Sequence, residues 1–168
     1  MQALSAFTAK ALIPLMLCAV TQLPITARAQ TTTDTAPAVN PKYDAELARQ
    51  TGADDNGMRP YVLVILKTGP NKVPAGKERD EMFKGHFANM KRLAGEGKLA
   101  FAGPLDGVDG WRGLFVMVTG DIEEAKKYTA TDPVIIKGEM VADYHKLYGS
   151  AALMLVNEAH GKLSKKAP

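Results

Sequence analysis

The chain has 168 residues, of which 46% are hydrophobic and 23% charged, with a formal net charge of +3. This is ordinary globular material, enough for one domain with its own core, and it excludes two large domains.

Residues 1–29 contain no acidic residue; Lys10 precedes the apolar run ALIPLMLCAV, and Ala27-Arg28-Ala29 stands before Gln30. This is the pattern of a secretory signal peptide with a small-x-small cleavage site. The run is about ten residues long against the about 20 that a bilayer needs, so the expectation is cleavage and no membrane attachment afterwards. A lipid anchor at Cys18 is disfavoured by the bulky Leu17 before it. Cleavage removes Lys10 and Arg28 from 21 basic residues, leaving 19 against 18 acidic ones and a charge of +1. No basic cluster remains to neutralise phosphates, so nucleic acid is not an expected partner. Cys18 is the single cysteine and leaves with the signal. A disulfide is thereby excluded, and stability falls to core packing and a partner subunit. Export without cysteine points to a bacterial periplasm.

Residues 30–59 are rich in Thr, Ala, Asp, Asn and Pro, with almost no large apolar side chain. Such a composition does not offset ordering entropy and reads as a flexible linker, with at most a helical turn around Tyr43 to Gln50.

A folded domain is expected over residues 60–149. The run YVLVIL, residues 61–66, is a buried strand that stops at Lys67-Thr68-Gly69-Pro70. Residues 78–97 have helical period. LAFA, residues 99–102, is a second strand closed by Gly103-Pro104, and GLFVMV, residues 113–118, is a third. Asp121 caps a further helix, with Glu124 at capping-box spacing, and Asp132-Pro133 starts another helical turn. Residues 140–148 form a fourth strand. The order is α+β, the ferredoxin-like βαββαβ plan, an antiparallel sheet with both helices on one face. Two of the strands are apolar at every position, so the other face of the sheet needs cover. A second copy packed sheet to sheet supplies it, which predicts a homodimer. The C-terminal tail, residues 150–168, could serve the same end as helix or as strand.

At about 100° per residue, Met82, Phe83, Phe87, Met90, Leu93 and Ala94 fall within an arc of about 140°, and His86 lies inside it. Lys84, Gly85, Lys91 and Arg92 fall opposite. His86 therefore faces the sheet, where both ring nitrogens need partners. Two readings stand: a core histidine satisfied by backbone or water, and an acid or base tuned by a carboxylate in a cleft between helix and sheet.

The pattern over residues 61–148 resembles the YciI-like family, also called YCII-related domains, small ferredoxin-like proteins of the dimeric α+β barrel type. The resemblance rests on YVLVIL, on His86 followed by ANMKRLAGEGKL, on Gly103-Pro104, on WRGLFVMV, on IEEAKKY, and on Asp132-Pro133 with Gly138 after it. It implies an active site of His86 and Asp132, a carboxylate fixing one imidazole nitrogen while the other acts as base or acid. Asp132 also reads as a plain N-cap, and the two roles are compatible. The resemblance further implies that Gly103 and Pro104 line the pocket. Many relatives carry an arginine or proline shortly before the histidine, where this chain has Phe83-Lys84-Gly85, a departure that bears on substrate recognition.

Trp111 and Arg112, at the entry of the third strand, read as a rim for an anionic or aromatic small-molecule ligand, with an edge Trp covering core as the plainer alternative. Asp143 and His145 share one strand face, read as solvated or interfacial. His86, His145 and His160 are scattered, so no metal is expected, and no glycine loop or nucleophile motif calls for a cofactor. The functional expectation is an exported small-molecule enzyme of lyase or hydrolase type; the alternative is a ligand-binding or structural module of the same fold.

Overall fold

A computed structural model describes residues 40–165 of the chain. The signal peptide and the first part of the linker lie outside the described residues. The linker's last part carries the helical turn expected there, as α1 (Ala45–Thr51), capped by Asp44, which accepts from Leu47 N–H at 3.0 Å. Arg59 holds its C-terminal end, donating from Nη1 to the Thr51 carbonyl at 2.7 Å.

β1 (Met58–Thr68) starts ahead of Pro60. The proline is tolerated because β1 pairs with only one neighbour there: pairing with β4 (Met140–Ser150) runs from Met58, whereas pairing with β3 (Trp111–Met117) begins at Val62. With β2 (Leu99–Pro104) the sheet has the order β2-β3-β1-β4, antiparallel throughout. That is the order of the ferredoxin-like βαββαβ plan. α2 (Lys77–Gly95) joins β1 to β2, while α3 (Ile122–Thr129) and α4 (Pro133–Ile136) join β3 to β4.

All three helices pack on one face. Met82 and Leu93 of α2, Ala125 of α3 and Val134 of α4 close on Val62, Val64, Leu66, Phe115 and Met117, the main core. The capping box expected at α3 forms only in part. Asp121 accepts from Glu123 N–H at 2.9 Å, but Glu124 turns its carboxylate to the hydroxyls of Thr119 and Tyr128 instead of back to residue 121. Thr119 Oγ1 takes the Asp121 N–H at 3.1 Å, so the donor is still satisfied.

On the other face Tyr61, Ala100 and Val116 are buried, with Leu63, Leu114, Val118 and Leu147 packed around them. Part of the cover comes from the tail. After β4 a 3-10 turn (Ala151–Leu155) lays Leu153 and Met154 on this cluster, and α5 (Val156–Leu163) follows it. Asn157 Nδ2 ties α5 to the sheet edge, donating to the Leu99 carbonyl at 2.7 Å. Toward the far end of this face the cover is thinner, and Trp111 and Val141 stand 46% and 41% exposed.

Candidate functional site

α2 buries Met82, His86, Asn89 and Leu93, a stripe at helical spacing, so the histidine faces inward as its position predicts. The stripe is rotated relative to the sequence reading. Phe87, expected within the buried arc, is 60% exposed, whereas Asn89 is buried and Gly85, expected on the solvent side, is half-buried. The reason is α4, which packs along that flank. Pro133 Cγ lies 2.9 Å from where a side-chain carbon on residue 85 would stand. Glycine at this position lets α4 come this close to α2.

That approach brings Asp132 to His86. The carboxylate is fully buried, and both its oxygens lie within hydrogen-bond distance of His86 Nδ1, Oδ2 at 2.8 Å and Oδ1 at 3.0 Å. Asp132 also caps α4, Oδ1 accepting from Val134 N–H at 3.1 Å. Both readings of this aspartate thus hold in one side chain. A carboxylate facing Nδ1 places the proton of the neutral ring on that nitrogen. Nε2 has no protein hydrogen bond among the described residues and keeps its lone pair.

The ring sits among aromatics, against Phe115 at 6.0 Å between centroids and near-parallel, with Phe87 at 5.4 Å and Phe83 edge-on at 6.2 Å. His86 forms one wall of a cavity of about 350 Å³ between α2 and the sheet. Asp132 lies behind the histidine and does not line it. Gly103, Pro104 and Arg112 are on the wall, so the structure brings together three of the four residues singled out as ligand contacts. Trp111 is not among them. It pairs with Lys67, on the face turned away from the helices, while a bulge in the β1-β3 register at Leu66/Lys67 leaves Arg112 as the extra residue and turns it toward the cavity. Asp143 shares the outer face and pairs with Lys67 Nζ at 3.1 Å, and His145 is exposed.

One feature of the site had no sequence signal. Glu139 is 3% exposed, and its Oε2 accepts from Val73 N–H and its Oε1 from Arg79 Nη1, both at 2.7 Å. Burial pushes this carboxyl up, but the Val73 N–H and the Arg79 and Arg112 guanidiniums outweigh it and hold the group below its ordinary value. Among the described residues no three His, Cys, Asp or Glu side chains group as metal ligands.

A family model described as YCII-related domain matches residues 60–145, more than half of the chain. No curated protein matches it.

The Gly85 contact makes a prediction opposite to helix propensity, which favours Ala over Gly by about 1 kcal/mol. Gly85→Ala pushes on a proline ring, and overpacking of this kind costs about 1–3 kcal/mol, so the variant should unfold at lower denaturant. Gly95→Ala, where an added carbon meets nothing within 4 Å, should gain stability instead. Equal gains for both would show that the close approach of α4 is no constraint.

Proposed function

This chain belongs to the YCII-related domain family, and on that premise we propose that it is a small-molecule enzyme of lyase or hydrolase type in which His86 is the acid-base group and Asp132 positions it. The observation that carries the reading is the two-sided histidine: Nδ1 bound at 2.8 Å to a buried carboxylate, and the ring on the wall of an open, largely apolar cavity. A histidine kept only for packing has no need of that cavity.

As base, Nε2 accepts a proton from a C–H or O–H of the bound molecule, or from a water attacking it. The imidazolium so formed is stabilised by the Asp132 carboxylate. Donating the same proton to the leaving group returns the ring to its neutral form. Phe83, Phe87 and Phe115 exclude water around the exchange and strengthen the electrostatics of the pair. Gly103 and Pro104 bound the cavity opposite the histidine's helix, leaving room for a ring-sized substrate.

The test is a turnover screen of small cyclic and aromatic lyase and hydrolase substrates with wild type, His86→Gln and Asp132→Asn. Asparagine still caps α4, so a folded variant is expected from the second change. It donates to Nδ1 and places the ring proton on Nε2, removing the base. Loss of roughly 10²–10⁴ in rate in both variants is the expected result. Turnover that survives in both would remove His86 and Asp132 from the chemistry, and binding in wild type and variants alike with no turnover in any would leave a ligand-binding module.

We further propose that the chain is exported and acts as a homodimer. The signal pattern of residues 1–29 supports export. Protein recovered from its host should begin at Gln30, and an intact Met1 would overturn this. Exposed Trp111 and Val141 beside Ile65 and Leu114, on the face that the tail covers only in part, support a second copy there. Sedimentation should return twice the mass of one mature chain; a monomer would leave the tail as the whole cover.

A further inference from the structure

We propose that the mouth of the His86 cavity is an anion subsite, so that its ligand is a small apolar, ring-sized molecule carrying a carboxylate or phosphate. The inference rests on the reading of that cavity as the ligand site and adds the class of ligand. A recess of about 340 Å³ adjoins the cavity, lined by Thr68, Gly69, Lys72, Arg79, Arg112 and Glu139. Arg112 lines both spaces and so joins them.

Three cations meet here one carboxylate, and that carboxylate is already satisfied. Glu139 takes the Val73 N–H and one Arg79 nitrogen at 2.7 Å each, whereas Arg112 stands 4.0 Å away, beyond hydrogen-bond distance. Arg79 itself is committed, since Nη1 also donates to the Val73 carbonyl at 2.9 Å and its guanidinium lies 4.9 Å over the Phe83 ring. Among the described residues the side chains of Arg112 and Lys72 make no hydrogen bond. Holding Glu139 in place thus uses Arg79 and leaves two positive charges over. The Arg112 side chain is 32% exposed, so it is only partly surrendered to water. A planar fork in that setting suits an oxyanion, with Lys72 adding an unshaped charge. The far side of the same arginine is the apolar, aromatic wall that ends at His86. A ligand that satisfies both has its ring beside Phe83 and Phe115 and its anionic group at Arg112.

Binding of benzoate, phenyl phosphate and the neutral benzamide to the purified protein tests this, followed by chemical-shift changes at Arg112, Lys72 and His86. At least one of the two anions should bind about tenfold or more tightly than benzamide. The preference should shrink with added salt, and should fall to near unity in Arg112→Gln, with Lys72→Gln taking part of it. Which anion is preferred identifies carboxylate or phosphate. Equal binding of all three compounds, no binding of either anion, or a preference unchanged in Arg112→Gln would overturn the subsite. If the preference fails while turnover still depends on His86, the subsite alone is wrong. If the preference holds while turnover is indifferent to His86, the catalytic reading fails and the subsite stands.

Discussion

The Asp132 carboxylate has no contact with solvent and is held by two donors, His86 Nδ1 at 2.8 Å and Val134 N–H at 3.1 Å. A buried charge costs several kcal/mol unless it is paired and hydrogen-bonded, and removing one partner of such a pair costs about 3–5 kcal/mol. The histidine therefore contributes to the fold whatever its chemistry. The consequence for function is that the ring cannot turn. Its Nδ1 is taken, its planes are set against Phe115, Phe83 and Phe87, and one nitrogen is left for the cavity. Preorganisation of this kind is what an acid-base group needs, because no part of the substrate's binding energy goes into orienting it.

The pair is assembled by the crossing of two chain segments. α2 supplies the histidine in a regular helix, and the Asp-Pro step supplies the acid as the cap of a four-residue helix. Oδ1 of the cap serves Val134, and both oxygens face His86 on α2. Gly85 and Pro133 decide how near the two segments come. Arg92 fastens the same seam further along, donating to Asn89 Oδ1 at 2.8 Å and to Thr131 Oγ1 at 3.1 Å. The distance between His86 and Asp132 is thus a property of helix packing, fixed by residues that do not line the cavity.

Much of this was legible in residue pattern. Continuous apolar runs marked the central strands, Gly-Pro steps marked their ends, and the 3.6 period placed His86 inward, all consequences of side-chain burial within one element. Asp132 as N-cap was legible for the same local reason, whereas its reach to His86 entered only through the family resemblance, since nothing local links positions 46 apart. Gly85 and Phe87 were misplaced because a helical wheel assumes one buried face, and α4 rotates that face toward Asn89. Trp111 and Arg112 read alike as a rim at the strand's entry, and the bulge that separates them, Trp111 to the outer face and Arg112 to the cavity, has no fixed sequence sign. Glu139 was invisible: a carboxylate after a glycine looks solvated until Val73 and Arg79 close on it.

His86 and Arg112 stand on opposite sides of one apolar space, the first able to move a proton and the second able to hold a charge. The first depends on the histidine presenting Nε2, so the central claim is a statement about one proton. The ¹⁵N spectrum of the His86 imidazole in the wild-type protein measures it directly. For the neutral ring the account predicts a single tautomer, with the proton on Nδ1 in a strong hydrogen bond and an unprotonated Nε2. A neutral ring with its proton on Nε2, or two neutral tautomers in fast exchange, would contradict it.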